Sequence, residues 1–116
     1  MTIEECYSSF GGDYAGVMSR LMKEDRVLKY TSRFCAGNDY EQIVGAIEVE
    51  KWEEAFRLVH NLKGVSLNLG LTPLGDASHI LCEALRHGKP AEDPSGMLQD
   101  VKTAYDTVIS ALKQLF

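Results

Sequence analysis

His60, Lys63 and Gly64 stand in the string His60-Asn61-Leu62-Lys63-Gly64, inside a run of residues patterned as a helix. Positions three and four apart share one helix face, so an imidazole, an ammonium group and an absent side chain fall together. A neutral imidazole is a nucleophile toward phosphorus. With a reference pKa of about 6.5, such a ring is largely neutral near pH 7. A phosphorylated ring is strongly anionic. Lys63 supplies a cation for part of that charge, and Gly64 leaves room for phosphoryl oxygens. These residue types suit a site that holds a phosphoryl group on His60.

Stepped at about 100° per residue, residues 52–69 place Leu58, Leu62, Val65 and Leu69 in one apolar stripe, joined by Ala55. This stripe is the predicted core face. His60 lies almost opposite, with Glu53, Phe56, Arg57, Lys63, Gly64, Leu67 and Asn68 on the outer face. A glycine inside a helix costs roughly 0.5–1 kcal/mol relative to alanine, so Gly64 needs a reason. The expectation is that a side chain there would crowd the space beside the His60 ring. Phe56 and Leu67 are apolar where the surface should be wet, which marks a partner contact. Arg57, Asn61 and Asn68 flank that patch and complete the candidate partner surface.

Plainer readings exist for each residue taken singly. A lone exposed histidine is ordinarily surface, and a lone lysine is ordinarily solvated. Phe56 and Leu67 could instead pack under the N-terminal helices or in a dimer. The conjunction on one outward face carries the functional reading. His79 falls on a polar side beside Asp76 and Glu83 and reads as surface. His87 falls in a last helical turn, where the helix dipole favours a cation. Neither the histidines nor Cys6, Cys35 and Cys82 have metal-ligand spacing, so no metal or intrinsic cofactor is expected.

The elements that must position this face are helical almost throughout. Thr2-Ile3-Glu4-Glu5 has the form of a capping box, and Gly11-Gly12 ends the short helix it starts. Asp13 caps a second helix, and Glu24-Asp25 is expected to break the chain. Asn38 caps a helix carrying Tyr40, Ile43, Val44 and Ile47. The long helix runs from about Trp52 to Leu69, stopped by Gly70. Thr72-Pro73 restarts the chain as N-cap and first helical residue, in a helix that buries Leu74, Ala77, Leu81 and Leu85. A last helix from near Pro94 shows Met97, Val101, Ala104, Val108 and Leu112 at three-four spacing. The expected fold is all-α, an antiparallel four-helix bundle over residues 25–116, with an N-terminal helical extension over residues 1–24 packing on it.

The 116 residues suit one core, with 45% hydrophobic and 25% charged residues. A formal net charge of −5 disfavours nucleic acid and anionic membranes as partners. No apolar run is long enough to cross a bilayer, and the acidic start has no signal-peptide character. Three widely spaced cysteines read as reduced thiols. A cytoplasmic monomer is expected.

The site string resembles the histidine-containing phosphotransfer (HPt) domain of multistep phosphorelays. The likeness rests on His60-Asn61-Leu62-Lys63-Gly64, then Leu69-Gly70 and Leu74, and extends over about residues 25–112. It implies a helical bundle with His60 midway along a helix and partly exposed. It implies phosphoryl exchange with the aspartate of a response-regulator receiver domain, or receipt from a hybrid histidine kinase. Such a module is a phosphoryl carrier rather than a stand-alone enzyme. The receiver supplies Mg²⁺. Lys63 and Gly64 carry over as phosphate partner and space-maker. Many members place a Gln or Glu on the next helix to hydrogen-bond the imidazole. Here that place falls near Cys82, with Glu83 adjacent but pointing away, so water or backbone is left to orient the ring. The alternative reading is a bundle that docks a receiver or kinase without transferring phosphate.

Overall fold

The computed structural model describes residues 1–116. It contains seven α-helices and no strand: α1 (Ile3–Phe10), α2 (Tyr14–Leu21), α3 (Glu24–Ala36), α4 (Asp39–Glu48), α5 (Trp52–Asn68), α6 (Thr72–Leu85) and α7 (Ser95–Leu112), closed by a 3-10 turn, Lys113–Leu115.

Local chemistry sets the boundaries. The Thr2 hydroxyl accepts from the Glu5 N–H at 3.0 Å, and the Glu5 carboxylate accepts from the Thr2 N–H at 3.0 Å. Two otherwise orphaned donors are thereby satisfied at the start of α1. Asp13 caps α2 by accepting from the Gly16 N–H at 2.9 Å. Gly70 ends α5 with φ +72°, the left-handed conformation that glycine adopts without a Cβ penalty.

Some expected boundaries shift. The break expected at Glu24-Asp25 falls at Met22-Lys23, where Met22 turns the chain with φ 69°. Glu24 and Asp25 instead open α3, where carboxylates face the positive end of the helix dipole. Thr72, expected as an N-cap, is the first residue of α6, and Leu71 takes the cap position. Asn38 sits at the N-cap of α4, yet its side chain accepts from Gln42 Nε2 at 2.6 Å rather than from a backbone N–H.

The helices form an all-α antiparallel bundle of 42 × 22 × 20 Å. α5 and α6 make the most extensive contact, as a hairpin. Two side-chain meetings fix its register: Leu67 lies over Gly75, and the Arg86 guanidinium lies over the Phe56 ring. At Gly75 an added Cβ would meet the Leu67 side chain at 2.6 Å, so the glycine lets that side chain lie close over α6. α7 packs on α6 and reaches α1, α3 and α4. One continuous apolar core draws on every helix, including Tyr7, Val17, Phe34, Ile43, Leu62, Leu81 and Val108.

The buried stripe of α5 differs from the expected one. Ala55, Val59, Leu62, Ser66 and Leu69 are buried, Leu58 is half-buried and Val65 is 41% exposed. The stripe is rotated by about 40° toward α6. Ser66, though polar, is small enough to sit in the packed face, and its hydroxyl has no partner there. Val65 loses its cover because α2 and α3 stand off from α5. They leave a groove of about 500 Å³ lined by Leu21, Tyr30, Arg33, Phe34 and Val65 among others. On α6, Ala77 is half-buried, while Cys82 is fully buried.

The N-terminal helices bind the far end of α5. The buried Tyr7 hydroxyl donates to the Leu69 carbonyl at 2.6 Å. The Asp13 N–H donates to the Gly70 carbonyl at 2.8 Å. Arg20 donates from Nε to the Asn68 carbonyl and from a terminal nitrogen to the Leu67 carbonyl, both at 2.9 Å. Carbonyls that a helix end leaves orphaned are thus taken up by partners far away in sequence, and Arg20 adds a cation at the negative end of the dipole. No helix is long and apolar enough to cross a membrane.

Candidate functional site

The middle of α5 presents His60 to solvent. Its ring stands 5.9 Å from the Phe56 ring, centroid to centroid, with 36° between the planes. Phe56 is half-buried against the core edge. The Arg86 guanidinium lies 5.5 Å from the Phe56 centroid, a cation–π distance. Arg86 is in turn held by Glu83, through hydrogen bonds of 3.2 and 2.5 Å. Those bonds hold the Glu83 carboxyl below its usual range. Four side chains from two helices therefore run in sequence from Glu83 to Arg86, Phe56 and His60.

Lys63 is half-buried on the same side of α5. It belongs to none of the three ion pairs, which join Arg57 to Glu54, Arg86 to Glu83 and Lys102 to Asp106. Its charge reaches both Cys82 and Glu83 of α6, so it lies on the side of α5 toward that helix. Glu83 is already committed to Arg86. Lys63 is left as an unpaired cation, available to an anion.

Gly64 has open space around it: an added Cβ would meet nothing within 4 Å. The space beside the His60 ring, which a side chain here was expected to crowd, is open. Nothing inside the protein demands glycine at this position, although glycine costs helix stability.

The remaining candidates spread around this centre. Leu67, 43% exposed, lies one helical surface away over Gly75. Arg57 pairs with Glu54 at 3.4 Å in an exposed contact that adds little stability. Asn61 and Asn68 are exposed, and the Asn68 backbone is tied to Arg20. His79 and His87 are exposed on or just beyond α6. No group of three His, Cys, Asp or Glu side chains is placed to hold a metal.

The hairpin register identifies what faces His60 from α6. Counting on from Phe56 and back from Arg86, or back from Leu67 and on from Gly75, brings His60 level with Cys82. That residue is buried, and burial pushes its thiol up. The thiol makes no hydrogen bond with the imidazole. Glu83, next in line, is taken by Arg86. Sequence reasoning located the Cys82 position and missed Arg86. The signal was present: Glu83 and Arg86 stand three apart on one helix, the spacing of an ion pair.

A family model described as Hpt domain matches residues 36–115, which takes in α4 to α7. No curated protein and no solved structure gives a significant match.

Proposed function

This chain belongs to the Hpt domain family, whose members carry phosphoryl groups on histidine in phosphorelays, and from that membership we propose that His60 is the phosphoacceptor of this chain. It exchanges its phosphoryl group with the aspartate of a receiver domain. The unprotonated ring nitrogen attacks phosphorus. The N–P bond forms as the P–O bond to the aspartyl carboxylate breaks, and the carboxylate leaves. Lys63 balances the anionic charge on the ring. Gly64 keeps open the space for phosphoryl oxygens. The chain acts as a carrier between partners, and the Mg²⁺ for the exchange sits on the receiver.

One observation carries this reading: an exposed imidazole shares its face with an unpaired lysine and with a glycine that nothing internal requires. Phe56 and Leu67 supply the apolar part of the docking surface, with Arg57, Asn61 and Asn68 around it. The test is incubation with a phosphorylated receiver. Wild type gains acid-labile phosphate and His60→Gln gains none. Equal labelling of the two proteins, or none in either, refutes the reading.

A second reading is docking without transfer, which the thiol of Cys82 in place of a hydrogen-bonding side chain favours. It expects a receiver complex that survives His60→Gln and carries no phosphate at any time.

A further inference from the structure

We propose that Phe56 is a positioning residue for His60, and that the Glu83–Arg86 pair at the end of α6 holds Phe56 in place. This rests on the reading of His60 as phosphoacceptor. The imidazole has no hydrogen-bond partner to set its rotation, and the side chain level with it on α6 is a buried thiol. What flanks the ring is the Phe56 ring, one turn earlier on α5, at 5.9 Å and 36°. Offset aromatic pairs at such separations attract beyond their area burial, which favours one side-chain rotamer.

Phe56 is itself constrained from both sides. Its inner edge packs on the core, and the Arg86 guanidinium lies 5.5 Å from its centroid. Arg86 is restrained by two hydrogen bonds to Glu83, and a planar guanidinium held this way loses little freedom on stacking. The order is therefore transmitted from an ion pair on α6 to a ring on α5 by stacking. An ion pair as exposed as this one adds little to stability. Here it orders an aromatic ring.

The test separates positioning from docking. Three-bond couplings to the His60 ring report its χ1 rotamers without any phosphate. Wild type is expected in one dominant rotamer. Phe56→Leu, which keeps an apolar side chain, is expected to average between rotamers, and Arg86→Met to do so to a lesser degree. Transfer from a phosphorylated receiver should slow about tenfold at saturation in Phe56→Leu, whatever rise in half-saturating receiver concentration the loss of docking area brings. Phe56→Tyr should restore both readouts. Adding Cys82→Gln to Phe56→Leu places an amide level with the ring and should recover transfer in part.

Unchanged His60 rotamers in Phe56→Leu overturn the proposal. So does a rise in half-saturation alone, which would make Phe56 a docking residue only. Should Phe56→Leu fail to give a cooperative melt, Arg86→Met against wild type decides on the same couplings. Should no protein accept phosphate, the phosphoacceptor reading fails, while the rotamer result still tests the stacking.

Discussion

The last turn of α5 and its middle, barely two turns apart, are built in opposite ways. At the last turn, the carbonyls of Leu67, Asn68, Leu69 and Gly70 all have partners, supplied by Tyr7, Asp13 and Arg20 from α1, α2 and the turn between them. In the middle, His60 has no hydrogen-bond partner, Lys63 has no counter-ion and Gly64 faces open space. Unpartnered polar groups cost most where they are buried, so the buried Tyr7 hydroxyl at the closed end has its partner, while the wet middle can go without. A helix anchored at one end and along its buried stripe can leave one face uncommitted without losing its position. The N-terminal helices thus fix the far end of the helix that carries His60.

The largest effect that would break this contrast is at the closed end. Gly70→Ala combines a left-handed φ of +72° with a Cβ that would approach the Asp13 carbonyl oxygen at 2.5 Å. A loss of about 3 kcal/mol is expected from the two together, read from urea unfolding. A loss below about 1 kcal/mol would mean that the closed end is looser than its contacts indicate.

Tyr7→Phe removes one buried hydrogen bond and should cost about 1.5 kcal/mol. It also changes the pH response. Burial pushes the Tyr7 hydroxyl well above its ordinary value, and pushes Tyr105 up to about 12. A raised pKa in the folded state favours the protonated form. Its stabilising effect is complete below the unfolded-state value of about 10 and is lost as pH rises through the folded-state values. Wild type should therefore weaken above about pH 10, and Tyr7→Phe should weaken less steeply over the same range. Parallel curves for the two proteins would contradict this.

In the open middle the effects fall on transfer rather than folding. Lys63→Met should slow phosphoryl transfer to His60 about tenfold, the loss of one charge-assisted contact to the phosphoryl group. Its unfolding midpoint should hardly move, because Lys63 has no ion pair to lose. The smallest effect has opposite signs in two assays. Gly64→Ala should stabilise the fold by about 0.5–1 kcal/mol, because the helix gains propensity and the Cβ meets nothing. It should also slow transfer. Destabilisation by Gly64→Ala would show that the space is needed by the protein itself.

The two regions also differ in how far they could be read in the sequence. The open middle was legible because its signals are local: His60, Lys63 and Gly64 lie within two turns, and one helical step angle sorts them outward. The caps at Thr2 and Asp13 and the stop at Gly70 were legible for the same reason. The closed end was not, because Tyr7 and Leu69 meet across 62 residues and no local pattern links them. The exposure of Val65 escaped too. A wheel gives the apolar side of a helix, while the approach of α6 and the standoff of α2 and α3 decide how much of that side is covered. Ser66, a small polar residue, is buried as well, which an apolar stripe does not reveal. The Phe56–Arg86 contact needed the hairpin register, which only the folded chain supplies.

The most direct test of an open middle built to hold a phosphoryl group is to map where phosphate lands. Wild-type protein labelled by a phosphorylated receiver should be digested under alkaline conditions, which preserve phosphohistidine, and its peptides sequenced by mass spectrometry. The expected result is phosphate on His60 alone, with His79 and His87 unmodified although both are exposed. Phosphate on His79 or His87, or on no histidine, would contradict it.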